Sequence, residues 1–167
     1  GISFRTKQND MPLPLWAIEN NWAQGLWAWL AETNVSALFV PNHNDLPQHW
    51  KEAVADGENV PTGSLWHWGC FFGHPTLVGD LLAAQPDLLN AQDVQGRTAL
   101  HWACAAGRVD VVDMLLEKNI GVHVEDGQGY LAAEMLPEQY DELFDRLERR
   151  RQSLATTIAD PILASVA

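Results

Sequence analysis

Positive charge is scarce in this chain. Ten Lys and Arg stand against 22 Asp and Glu among 167 residues, a formal net charge of -12. Binding nucleic-acid phosphates or an anionic lipid surface takes clustered Lys and Arg, so neither is expected as a partner. An acidic surface suits either a basic protein partner or simple solubility. Long apolar runs are missing too: although 47% of the residues are hydrophobic, none approaches the roughly 20 consecutive residues of a membrane-spanning helix. Cysteine is limited to Cys70 and Cys104. Buried, reduced thiols in a reducing compartment are favoured over a disulfide between them. No G-x-S-x-G, glycine-rich phosphate loop or H-E-x-x-H is present, and no enzyme and no cofactor are expected. No basic, then apolar, then small-residue leader is visible, so a cytoplasmic location is expected. Met11 reads as a native start, and residues 1–10 as a flexible segment, either an expression remnant or a trimmed N-terminus. The length suits one domain with a core of its own.

What the chain does have is a motif, centred on residues 93–125. Gly96-Arg97-Thr98-Ala99-Leu100-His101-Trp102-Ala103 sits in a pattern D-x-x-G-x-T-x-L-H-x-A-x-x-x-G, followed by Val111-Val112-x-x-Leu115-Leu116. Gly96 permits a tight turn, and Thr98 is suited to cap a helix. Leu100, Ala103 and Cys104 are small or apolar at helical spacing, so that two helices can approach closely. Gly107 ends the first helix, and the Val-Val and Leu-Leu pairs form the buried stripe of a second.

The pattern closely resembles the ankyrin repeat, a unit of about 33 residues with a T-P-L-H-x-A core. Only Ala99 departs from it, standing where the family has proline. A second copy lies 34 residues earlier: Trp66-His67-Trp68-Gly69-Cys70-Phe71-Phe72 aligns with Leu100 to Ala106, and Leu77, Val78, Leu81 and Leu82 repeat the stripe. The resemblance implies an all-α solenoid of about four helix-turn-helix units, two clear and two degenerate.

The flanking segments complete the expected organisation. Residues 11–32 read as a degenerate first repeat, the alternative being a plain helical hairpin. There Trp16 takes the motif's histidine position and Trp22 its glycine position. Residues 33–60 read as an insertion, with residues 35–40 either a strand or an extended edge and a short helix from His49 to Ala55. Repeats follow at 61–92 and 93–125. Asp126-Gly127-Gln128-Gly129-Tyr130 then restarts the cycle, and Pro137 breaks it. Residues 138–151 carry Tyr140, Leu143, Phe144 and Leu147 at i, i+3, i+4, i+7, a C-terminal capping helix. Arg149-Arg150-Arg151 would complement the dipole at its C-terminal end. Residues 152–167, interrupted by Pro161, are expected as either another short helix or a loose tail.

Ligand-type side chains recur but fit the repeat. His67 and His101 fall at the family's T-P-L-H position, where imidazole hydrogen-bonds turns together, and Cys70 and Cys104 at a small core position. A metal or redox site from His67, Cys70 and His74 is the less favoured reading, as is one from His43, Asp45 and His49. The resemblance implies protein–protein recognition through turn tips and the concave face of the first helices. Position by position this gives Val94, Gln95, Arg97, Ala105 and Ala106, then Val60, Pro61, Gly63, Phe71 and Phe72. Gly127, Gln128 and Tyr130 follow in the next turn, and Asn20 and Asn21 in the first repeat. Phe71 and Phe72 are either interface anchors or packed beneath the insertion, while Trp68 and Trp102 are expected in the core. The resulting expectation is a monomeric adaptor or inhibitor of a basic protein, the alternative being a bacterial immunity or antitoxin-like protein.

Overall fold

In a computed structural model, residues 7–8, 11–42, 45–54, 63–72 and 74–166 are described. A two-residue ribbon, β1 (Lys7–Gln8) against β2 (Met11–Pro12), precedes the first helical pair, α1 (Leu13–Glu19) and α2 (Ala23–Thr33). A short helix α3 (Gln48–Val54) stands in the insertion. Two further pairs follow, α4 (Leu65–Phe72) with α5 (Pro75–Ala84), and α6 (Ala99–Ala106) with α7 (Val109–Glu117). The last unit has a 3-10 turn, Ala132–Met135, where its first helix would be, and then α8 (Asp141–Val166). The inner helices α1, α4 and α6 and the 132–135 turn pack in one row, and α2, α5 and α7 in a second. This is the all-α ankyrin solenoid.

The same local devices build each unit. Thr98 is the N-cap of α6 and forms a reciprocal capping box with His101. Proline occupies the first turn of α1 and α5, where no intrahelical N–H is required. The two stripes are buried throughout: Leu77, Val78, Leu81 and Leu82 on α5, and Val111, Val112, Leu115 and Leu116 on α7. Helices α4 and α6 are short and buried nearly all round, since each has an inner-row neighbour on either side and an outer helix behind. Cys70 and Cys104 are free, fully buried thiols on the inner helices.

Four features differ from the sequence reading. First, the start of α1 at Leu13 sets it level with α6 at Ala99, which places Leu15, not Trp16, at the histidine position and Trp16 level with Trp68 and Trp102. The left-handed turn residue is Asn21 (φ 54°), level with Gly107 (φ 70°), and not Trp22. Asparagine tolerates this conformation, so the loop needs no glycine. The face residues of this unit are accordingly Glu19 and Asn20, rather than Asn20 and Asn21.

Second, residues 35–40 form no strand and are irregular around a turn at 37–38. The carbonyls of Ala37 and Phe39 accept the N–H groups of Trp66 and Leu65, both at 2.9 Å. The insertion therefore satisfies two of the donors that a helix N-terminus leaves free. Third, α8 runs unbroken through Pro161 to Val166. A helix can pass a proline at the cost of one ladder bond and local crowding. Fourth, the arginine run consequently lies within α8, not at its end. Arg150 donates instead to Leu116 O (3.2 Å) and Asn119 Oδ1 (2.9 Å), complementing the C-terminus of the neighbouring α7.

Candidate functional site

Two histidine clasps tie successive units. Thr98 N–H donates to His101 Nδ1 (3.1 Å), which leaves Nε2 to carry the proton and donate to Tyr130 O at 2.9 Å. Ser64 N–H and His67 Nδ1 repeat the arrangement at 3.2 Å, with His67 Nε2 donating to Ala91 O at 3.1 Å. Both rings are about 1% exposed, and burial lowers both pKa values, against the opposing pull of the accepting carbonyls. Both nitrogens of His67 are thus engaged within the protein. His74 Nε2 donates to Glu19 O (3.0 Å), and burial pushes the Cys70 thiol well up. Metal or thiolate chemistry at His67, Cys70 and His74 would require these contacts to be dismantled. Of the other proposed ligand set, His43 lies outside the described residues, and His49 pairs with Glu19.

A second stitch repeats on the inner face. His74 and Arg108, the N-cap residues of α5 and α7, reach back to the carbonyls of Glu19 and Phe71 in the preceding inner helices, each at 3.0 Å. Glu19, Phe71 and Ala105 are one position in three units, and this stitch fixes the spacing of the inner row there.

The turn tips are held by carboxylates. Asp93 Oδ1 accepts Gln95 N–H (2.8 Å) and Arg97 N–H (2.9 Å), and its Oδ2 accepts Trp102 Nε1–H (3.0 Å). Asp126 Oδ1 likewise accepts Gln128 and Tyr130 N–H groups, both at 2.9 Å, and its Oδ2 faces Arg97 Nε at 3.6 Å. Burial works to raise the Asp126 pKa, but the two N–H donors and the nearby cationic groups prevail and hold it below the usual carboxylate range. Adjacent turns also touch directly: Gly127 N–H donates to Gln95 O at 2.7 Å.

The residues expected at the surface divide into three groups. Val94 (77% exposed) and Tyr130 (49%) project from neighbouring turn tips, and Gln128 and Ala105 are exposed with them. Gln95, Arg97 and Ala106 are half-buried, the Arg97 side chain being occupied by Asp126. Phe71 is only 8% exposed. It joins Trp68, Phe72 and Trp102 in an aromatic shelf, with ring centroids of successive pairs 5.1–6.1 Å apart. Val60 and Pro61 lie outside the described residues, and Gly63 is buried against Trp102.

The insertion covers that shelf at Phe72, the second of the two readings given for Phe71 and Phe72, and the sequence did not single out the residue that does so. Trp50 of α3 is fully buried, its ring 4.7 Å from Trp68 and 4.6 Å from Phe72. Its Nε1–H donates to Glu19 Oε1 at 3.0 Å, and His49 Nε2 meets the same oxygen. The periodicity of residues 48–54 marks a helix but not its seat, which depends on residues 19, 68 and 72 of other helices. Elsewhere, a cleft of about 570 Å3 between α7 and α8 is lined by Asp113, Glu117, Arg146, Arg149 and Arg150. Arg146 there is paired with Asp113. Among the described residues, no helix is long and apolar enough to cross a membrane.

The family profile described as ankyrin repeats (3 copies) matches residues 42–126. The rat 26S proteasome non-ATPase regulatory subunit 10 is 39% identical over 49 residues, 29% of this chain and 21% of that protein. Human inversin is 34% identical over 90 residues, 48% of this chain and 8% of its own length. Mouse palmitoyltransferase ZDHHC13 is 32% identical over 75 residues, 45% of this chain and 12% of that protein. The matches thus span about a fifth or less of each relative. Ankyrin-repeat domains are in general non-catalytic modules of protein–protein interaction, and the motif, the stacked helical pairs and the profile match agree: the chain belongs to the ankyrin-repeat family.

Proposed function

We propose that the chain acts as an adaptor or inhibitor that binds one protein partner through its turn tips and inner face, and that this partner is basic. The observation that supports it most is the pair Val94 and Tyr130. Two large apolar side chains stand exposed on adjacent turns whose backbones are fixed by Asp93 and Asp126. A rigid loop presenting exposed aromatic and aliphatic side chains is the arrangement from which interface anchors are drawn. The excess of 22 acidic over 10 basic side chains supports a cationic surface on the partner. On this reading the free chain is a cytoplasmic monomer.

The test is site-specific photocrosslinking from positions 94 and 130, with position 80 on the outer helix α5 as control. One and the same protein captured at 94 and 130 and absent at 80 is the expected result, with binding weakened by added salt. Capture from position 80 instead would overturn the inner-face assignment. Salt-independent binding would overturn the basic partner.

A further inference from the structure

We infer that α3 is an internal pseudo-ligand: it occupies the inner-face shelf in place of a partner segment and must undock before that segment binds. The inference rests on the proposed inner-face recognition and names its regulation and ligand chemistry.

The geometry points to this in three steps. Glu19 and Phe72 lie on the inner helices at the face positions equivalent to Ala105 and Ala106. Among the described residues, no other helix is seated on these positions in the α6 unit, whereas α3 contacts Glu19 of α1 and Phe72 of α4 and leaves both half-buried, with Asn20 beside them exposed. The covering helix is also small and weakly rooted. It is 7 residues long, well short of the roughly 12–15 residues that give an isolated helix even marginal stability. Among its described side chains, Gln48, His49 and Glu52 are exposed, Lys51 is half-buried and Trp50 is buried, with Leu46 buried just before the helix. Lastly, the contacts have the form of a recognised ligand. One aromatic ring lies against Trp68 and Phe72, its N–H is fixed by the Glu19 carboxylate, and a neighbouring imidazole pairs with the same oxygen.

The occupant defines what would replace it: a partner segment carrying an aromatic side chain beside a cationic or N–H-donating one. Such a segment fits a basic partner. Its affinity is reduced by the fraction of molecules in which α3 is docked, so loosening α3 raises apparent affinity without adding a contact.

The experiment uses the full chain and a labelled peptide, Leu-Pro-Gln-His-Trp-Lys-Glu-Ala-Val, copying residues 46–54, followed by fluorescence anisotropy. The Trp50→Ala chain should bind it at least tenfold more tightly than the native chain does, and a peptide with alanine for tryptophan should bind neither. Equal affinity of both chains for the peptide would overturn the inference. Native-state hydrogen exchange keeps the test open if Trp50→Ala fails to fold. Amides of α3 should exchange at least tenfold faster than those of α4 and α6 in the native chain, and faster again in Glu19→Gln. Exchange of α3 in step with α4 would make it a fixed part of the stack and overturn the inference. Because the peptide reads the shelf alone, its binding is independent of whether positions 94 and 130 capture a protein, and the two failures are distinguishable.

Discussion

His101 donates from Nε2 to the carbonyl of Tyr130 at 2.9 Å while its Nδ1 accepts the N–H of Thr98. One imidazole therefore closes its own helix N-terminus and secures the next turn. His101→Leu keeps the bulk, as Leu15 does at the same position of the first unit, but leaves the Thr98 N–H and the Tyr130 carbonyl without these partners. The Tyr130 carbonyl keeps the Asp126 N–H as a second donor, and leaving the one buried Thr98 N–H unpaired costs about 1–3 kcal/mol, which is the loss expected. Urea unfolding followed by tryptophan fluorescence would measure it. A loss below about 0.5 kcal/mol would show the clasp to be dispensable.

The same burial sets a pH dependence. The folded-state pKa values of His67 and His101 lie below the ordinary 6.5. Between the ordinary and the lowered values the unfolded chain binds protons that the folded chain does not. Stability should therefore be level above about pH 6.5 and fall as the pH drops below it. Asp126 adds a more acidic phase, because its lowered pKa makes its contribution complete above the usual carboxylate value and lost as the pH falls through the folded one. Thermal scans across this range check both phases, and His101→Leu should make the first one shallower.

Gly107 has φ 70°, and a Cβ added there would meet the Tyr140 ring at 2.7–2.8 Å. Gly107→Ala should cost at least about 1–2 kcal/mol from the left-handed backbone alone, with the clash in addition. In a double-mutant cycle, Tyr140→Ala should recover only the steric part.

The thiols give a chemical readout of packing. Burial raises the Cys104 pKa to about 12 and that of Cys70 well above its ordinary value, and the thiolate is the reactive form. A disulfide reagent near pH ~8 should modify neither thiol in the folded chain and both after denaturation. Prompt modification of the native protein would contradict their burial.

Val94 and Tyr130 should behave in the opposite way to these core groups. Val94→Asp with Tyr130→Ala is expected to change stability by no more than about 0.5 kcal/mol, while abolishing capture of the partner. A large shift in the unfolding midpoint would assign them a structural role instead.

Much of the architecture is written locally. Thr98, His101 and Gly107 specify a cap, a clasp and a left-handed stop within ten residues of one another, and the spacing of Val111, Val112, Leu115 and Leu116 specifies the buried side of the next helix. Such signals survive in sequence because turn geometry and helical periodicity act over short separations. They weaken in the first unit, where Asn21 replaces glycine in the same backbone role and shifts the apparent register by one residue.

By itself, then, the sequence determined the repeated helical pairs, their order, and the turn tips bearing Val94 and Tyr130. The tertiary structure alone decided the burial of Phe71, the seat of Trp50, the capping of α7 by Arg150 and the course of residues 35–40 across the start of α4. Each of those depends on residues distant in sequence but adjacent in space. No period or propensity encodes such a pairing. It is fixed only when the stack closes and brings those groups within reach of one another.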